Sequence, residues 1–177
     1  MSNIPSTPAD GNIKTVLVPT VADLSAPTLD ELAAPTAIDI SCYLVAGGFA
    51  LTVDQATITD ERECDTITRG APGRKTPTLE ITGIDNTNST VEDNDLAEAL
   101  IEGSKWVAVR RRGKAHDAPF EAGDVVSVTE FTVGLGSEVA AEANSVLRTL
   151  WRTFVNGFEP VAVVDTGSGS ASASASA

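Results

Sequence analysis

The residues that could do chemistry gather in one stretch, "TDERECDTITRGAPGRKT" (Thr59–Thr76). Asp60, Glu61, Glu63 and Asp65 crowd around Cys64, and carboxylates are the donors that a hard cation takes. Their spacing fits no calcium loop, because no glycine supplies the turn and Arg62 interrupts the run. On a strand Asp60 would face away from the other three acids, which leaves a thin ligand set. The cluster therefore reads as a solvated strand end or an intersubunit surface. "RGAPGRKT" invites comparison with the phosphate loop G-x-x-x-x-G-K-[ST]. Here Arg74 separates Gly73 from Lys75, Pro72 removes one backbone donor, and no strand–helix unit surrounds the segment. It reads as a flexible turn that exposes Arg69, Arg74 and Lys75. Nucleophilic catalysis needs a base beside the nucleophile. The single histidine, His116, lies in a loop that reads as exposed, Cys42 falls at a core position, and no spacing ties Cys64 to His116. The expectation is no metal, no cofactor and no enzymatic activity.

A second charged stretch is "VRRRGK" (Val109–Lys114). On a strand Arg110 and Arg112 share one face and Arg111 takes the other. The chain as a whole carries a formal charge of −13. An acidic chain repels nucleic acid at long range, so the arginines are expected to pair with carboxylates on a neighbouring strand or subunit. With 42% hydrophobic and only 5% aromatic residues, 177 residues suit one domain whose core is Val, Ile, Leu and Ala. No apolar run approaches the roughly 20 residues that span a bilayer. The first residues lack the basic start and apolar stretch of a signal peptide. A cytoplasmic product is expected, with Cys42 and Cys64 as reduced thiols and Asn88 of "NST" unmodified.

These residues must be held by strands. A polar, Pro-rich arm (residues 1–12) precedes "IKTVLVPT" (Ile13–Thr20), which reads as a strand. Thr28 is placed to cap a single helical turn through Glu31, which Pro35 confines. "AIDISCYLV" (Ala37–Val45) alternates as a second strand, broken by Gly47-Gly48. "FALTVDQATIT" (Phe49–Thr59) and "TPTLEITGID" (Thr76–Asp85) alternate again. One helix of about three turns is predicted in "STVEDNDLAEALIEGS", with Ser89 and Glu92 as a capping box and Leu96, Ala97, Leu100 and Ile101 as its apolar stripe. "KWVAVRRRG", "DVVSVTEFTVGLG" and "SVLRTLWRTFVNG" return to strand alternation, and "FEPVAVV" closes a domain of residues 13–164. The Gly/Ser/Ala-rich segment 165–177 has nothing to bury and is expected to be disordered. Strands, one helix and more strands joined by short polar connections predict a mainly β fold, a β-sandwich or barrel with one flanking helix.

The ordered segments "LVPTVADLSAPTLDEL", "IDISCYLVAGGFALTVDQATI", "RGAPGRKTPTLEIT", "EDNDLAEALIEG", "WVAVRRRG" and "GDVVSVTEFTVGLGSEVAAEANSVLRTLWRTFVNG" together resemble the major tail tube proteins of long-tailed, non-contractile bacteriophages, especially those of actinobacterial hosts. The likeness runs from about Ile13 to Val164, and the Ser/Ala tail lies outside it. It implies a structural virion protein, made in the host cytoplasm and placed in the phage tail. It implies a β-sandwich that forms hexameric rings around a continuous inner β-barrel, with rings stacked into a conduit for DNA ejection. The implied partners are further copies of the chain, a tape measure protein, a tail terminator and baseplate or tip proteins. DNA passes without sequence-specific binding, and no membrane is involved.

Physical reasoning agrees, because a conduit must not grip its cargo. Six copies at −13 each would carry −78 per ring, which repels phosphate wherever it faces the lumen. The expected lumen-lining strands are Phe49–Thr59 and Asp124–Val133, with Thr52, Asp54, Thr57, Ser127, Thr129 and Glu130 as the wet alternates. The expected contacts between subunits or rings are Asp60, Glu61, Arg62, Glu63, Asp65, Arg69, Arg74, Lys75, Arg110 and Arg112, with the connection Cys64–Thr76 and the N-terminal arm reaching the next ring. The rival readings are another virion part (tail terminator, head–tail connector or decoration protein) and a non-viral β-sandwich binding module.

Overall fold

Alternating apolar and polar residues dictate most of this backbone. A computed structural model describes residues 5–61, 63–64 and 66–167. Among them the order is β1 (Ile13–Val18), α1 (Leu29–Leu32), β2 (Ile38–Asp39), β3 (Leu44–Asp60), β4 (Arg69–Ile84), α2 (Asp95–Ala99), β5 (Lys105–Arg112), β6 (Val125–Glu138) and β7 (Arg148–Val163). The strands join one seven-stranded sheet in the order β2-β1-β5-β6-β7-β4-β3. The mainly β class is as expected, with α2 shorter than expected.

By contact density the chain divides into two compact units. The first takes the chain up to Cys42, Lys105–Phe131 and the chain from Asn156. β1 pairs antiparallel with β5, from Ile13↔Arg112 to Val18↔Val107. Pairing puts Val16 with Val109 and Val18 with Val107, and these four join Leu32, Val126, Val128, Ala162 and Val164 in one apolar core. α1 is the single turn anticipated. The Thr28 hydroxyl accepts from the Glu31 amide, and the Glu31 carboxylate accepts from the Thr28 amide at 2.8 Å. A parallel bridge, Thr28↔Asp165, ties this turn to the last described segment.

The second unit takes Tyr43–Ser104 and Thr132–Val155. β4 lies between β3 and β7, which aligns Phe49, Ile81 and Trp151 across three strands and likewise Leu51, Leu79 and Thr153. Leu79 and Ile81 are fully buried and Trp151 nearly so. Leu96 and Leu100, at and just beyond α2, are buried with them. Leu96 packs so closely on Gly83 that a β-carbon there would collide with it.

Four sequence expectations need correction. The strand Ala37–Val45 stops after Asp39, because the Asp39 carboxylate accepts from both the amide and the hydroxyl of Ser41 and turns the chain. That turn leaves Cys42 exposed rather than in the core. Gly47-Gly48 does not break the strand. β3 runs through the pair with a register shift, Gly47 taking φ 74 and Gly48 lying against the Thr82 carbonyl where no β-carbon fits. The three-turn helix is only the five residues of α2. The Ser89 hydroxyl does accept from the Glu92 amide at 3.0 Å, but Asn94 begins the helix and Ile101 is 65% exposed. Too few apolar residues meet the sheet to extend a helix that cannot persist alone.

β6 and β7 share one further property. In β6 the inward residues are Val126 and Val128, then Thr129, Phe131 and Val133. In β7 they are Thr149, Trp151 and Thr153, then Ala162. Each long strand thus changes which alternate it buries along its length.

Candidate assembly surface

β3 and β4 form an antiparallel hairpin paired from Leu44↔Gly83 to Asp60↔Arg69. β7 pairs with β4 only over Leu79–Ile84, so the ten residues Arg69–Thr78 extend beyond it with β3 as their strand neighbour. At about 3.3 Å per residue this arm is about 33 Å long. The segment "RGAPGRKT", expected as a flexible turn, is thus strand, and the actual turn lies between Asp60 and Arg69. A shift between Gln55↔Lys75 and Thr57↔Pro72 absorbs the extra residue as a bulge. Pro72 and Pro77 sit where β4 has a neighbour on one side only, the position at which a sheet tolerates proline.

Register identifies the exposed face of the arm's base. Thr52 lies opposite Thr78, and Asp54 opposite Thr76, all four exposed. Ala50 lies opposite Glu80, and Glu80 in turn opposite Arg152, whose Nε is 3.7 Å from its carboxylate. The alternates between them, Leu51, Leu79 and Thr153, point to the core, where the Thr153 hydroxyl donates to the Leu79 carbonyl at 2.8 Å. Sequence reading found Thr52 and Asp54. It missed Thr76, Thr78, Glu80 and Arg152, which join that face only through cross-strand register. Thr57 is exposed but lies on the opposite alternate from Thr52 and Asp54. In β6, Ser127 and Glu130 are half-buried on opposite alternates. Thr129 is 1% exposed, which corrects its placement on a wet face: the inward alternate changes at Val128–Thr129.

The charged candidates divide between the units. Asp60 and Arg69 close the hairpin ladder, Glu61 and Glu63 lie in its turn, Arg74 lies in the bulge and Lys75 borders it. Arg62 and Asp65 fall outside the described residues. Cys64 is in the same turn, in the second unit, whereas His116 belongs to the first. Among the described residues no group of three or more His, Cys, Asp or Glu side chains is arranged to hold a metal. Arg110 is half-buried and Arg112 exposed on β5. Burial and the neighbouring charge of Arg112 pull the Arg110 pKa below the usual arginine value.

Arg111, between them, is 1% exposed and anchors the β5–β6 loop. Its guanidinium donates to Asp124 Oδ2 at 3.0 Å, to the Ala115 and Ala118 carbonyls at 2.9 Å, and to the Pro119 carbonyl. It also lies over the Phe120 ring, 5.1 Å from the centroid. Burial opposes ionisation of Asp124, but bonds from Lys114, the Glu121 amide and Arg111 outweigh it and hold its pKa below the carboxylate norm. In the second unit burial likewise opposes ionisation of Asp85. Hydrogen bonds from Thr87, Thr149 and Asn94 outweigh it, so its pKa is also lowered.

The two edges of the sheet differ. One is β2, two residues long, and the other is β3, seventeen residues long. A long edge with unused donors and acceptors is a template for another strand. Aligned with this fold, at TM-score 0.54 and 8% identity, is a chain in "Cryo-EM structure of the anti-feeding prophage (AFP) baseplate, 6-fold symmetrised", with 90% of this chain and 98% of that chain covered. No curated protein matches the sequence. A family described as "Phage tail tube protein" matches residues 1–166, and the chain belongs to that family.

Proposed function

We propose that the protein is the repeating subunit of the tube itself and has no catalytic role. Six copies close a ring by adding the long β3 edge of each copy to its neighbour, and rings stack into a conduit for phage DNA. The single observation that carries this is the arm: a seventeen-residue edge strand whose exposed face at its base is Thr52, Asp54, Thr76 and Thr78. Hydroxyls and a carboxylate present no cation to phosphate, so a lumen lined by them lets DNA slide. In the first unit, Ser127 and Glu130, half-buried in the single chain, are the polar residues of β6 that this reading turns towards the lumen. The turn residues Glu61 and Glu63 with Arg69, Arg74 and Lys75 meet neighbouring copies. The segment resemblance favours a long, non-contractile tail of an actinobacterial phage. The subunits assemble in the host cytoplasm around a tape measure protein, between a terminator and a tip.

Negative-stain microscopy of the purified chain tests this reading. Long hollow fibres are expected, and a solution of monomers at every concentration would overturn it. The baseplate likeness favours a second reading, in which the same fold serves at one end of the tail. That reading predicts closed single rings that do not stack.

A further inference from the structure

The face read above as the lumen wall carries arginines. Register puts Arg152 on it, opposite Glu80, and Arg148 two alternates further along β7, opposite Ile84. The Arg152 side chain is 77% exposed, so a phosphate could reach it. Duplex DNA binds such cations by releasing its counterions, and cations repeated along a tube would hold it in place.

Each of these arginines has a carboxylate beside it. Glu80 Oε1 lies 3.7 Å from Arg152 Nε, and Glu142 Oε2 lies 3.8 Å from Arg148 Nη2. At the far end of the hairpin Arg69 stands directly opposite Asp60. Asp54, by contrast, stands opposite the neutral Thr76. On the other alternate of the same hairpin there is no such matching, because Lys75 stands opposite Gln55. An ion pair as exposed as Glu80 with Arg152 adds little to stability. Its consequence lies in the field in front of the strands, where a cation covered by a carboxylate no longer attracts an approaching anion.

We propose that Glu80 masks Arg152, and Glu142 masks Arg148 in the same way, so that neither arginine grips a passing DNA phosphate. The inference rests on the tube reading and names the residues that decide whether the conduit slides or holds. Glu80 acts through Arg152 rather than on the DNA. Its loss should therefore turn Arg152 from a neutralised partner into a phosphate contact.

Tubes of the full-length chain and of Glu80→Gln are assembled with a short fluorescent DNA duplex, treated with nuclease to remove outer DNA, and pelleted. At about 50 mM salt the Glu80→Gln tubes should retain about tenfold more protected duplex than unmodified tubes, and the excess should disappear at about 200 mM. Adding Arg152→Gln to Glu80→Gln should return retention to the unmodified level. Glu102→Gln, which removes the same charge from the exposed segment after α2, should leave retention unchanged. Glu142→Gln, which uncovers Arg148, should act in the same direction as Glu80→Gln and decides the matter if Glu80→Gln does not assemble. Normal Glu80→Gln tubes that retain no more duplex, or an excess that survives Arg152→Gln, overturn the mask and leave the tube reading intact. If the unmodified chain makes no tubes, both fall together.

Discussion

The β5–β6 loop and the β3–β4 arm are both charged and both rich in turn-forming residues, yet they are built in opposite ways. The loop is fixed from within: one buried guanidinium satisfies three backbone carbonyls and a carboxylate. The arm is fixed only along its own ladder, and beyond Thr78 nearly every side chain on both strands is exposed. A loop that must keep one shape inside a single copy hides its charge and completes its hydrogen bonds. The arm instead keeps its charge and its isoleucines on the outside. Exposure on both faces of a long hairpin leaves the arm no core of its own within the chain.

The comparison breaks first at Arg111. Arg111→Met should cost about 3–5 kcal/mol, because it leaves three carbonyls without their donor and takes one of three partners from buried Asp124. Urea unfolding reads the loss, and limited proteolysis should move to the Ala115–Gly123 segment. A loss below about 1 kcal/mol would show that the loop holds itself without the guanidinium.

Acid should come next. Asp124 and Asp85 both have folded pKa values lowered from the carboxylate norm. The stability they contribute is therefore fully present above the unfolded value near 3.8 and is lost as pH falls through the folded values below it. Asp124→Asn should remove part of that acid limb and flatten the stability profile below pH 4. An unchanged profile would sink the assignment.

The smallest effect on stability should come from the arm. Replacing Ala56–Arg74 with a two-residue Asn-Gly turn retains the Gln55↔Lys75 pair and matches hairpin geometry. The unfolding free energy should change by less than about 1 kcal/mol, since the removed side chains have no core to leave. Tubes should vanish nonetheless. A trimmed chain that still polymerises would place the arm's role elsewhere.

Much of this was legible in the sequence. Strand alternation located β6 and the inner halves of β3, β4 and β7, while β1 and β5, buried on both alternates over Thr15–Val18 and Val107–Val109, were legible as short runs rich in β-branched residues. The Thr28–Glu31 cap was legible because a capping box is local. What failed was non-local. "RGAPGRKT" looks like a turn until β3 is laid beside it, and only the ladder makes a strand of a segment with two glycines and a proline. The Ser89–Glu92 pair offered the right cap chemistry with no sheet contact to extend a helix behind it. The role of Arg111 was half visible: a carboxylate partner was expected for the arginines, but the three carbonyl acceptors belong to a loop whose path no alternation encodes. The Thr52–Thr78 face and the Glu80–Arg152 pair exist only through register.

The change of inward alternate within β6 and β7 has an evolutionary consequence. A strand with one buried face can slip by one residue at the cost of one core. In these strands the same slip would turn out Val126 and Val128 together with Phe131 and Val133, so two sets of apolar side chains would meet water at once. Single-residue insertions and deletions are therefore excluded from the middle of both strands. Length variation among descendants of this chain should be confined to the β5–β6 loop, the β6–β7 connection and the tip of the arm, while the two strands keep their residue count.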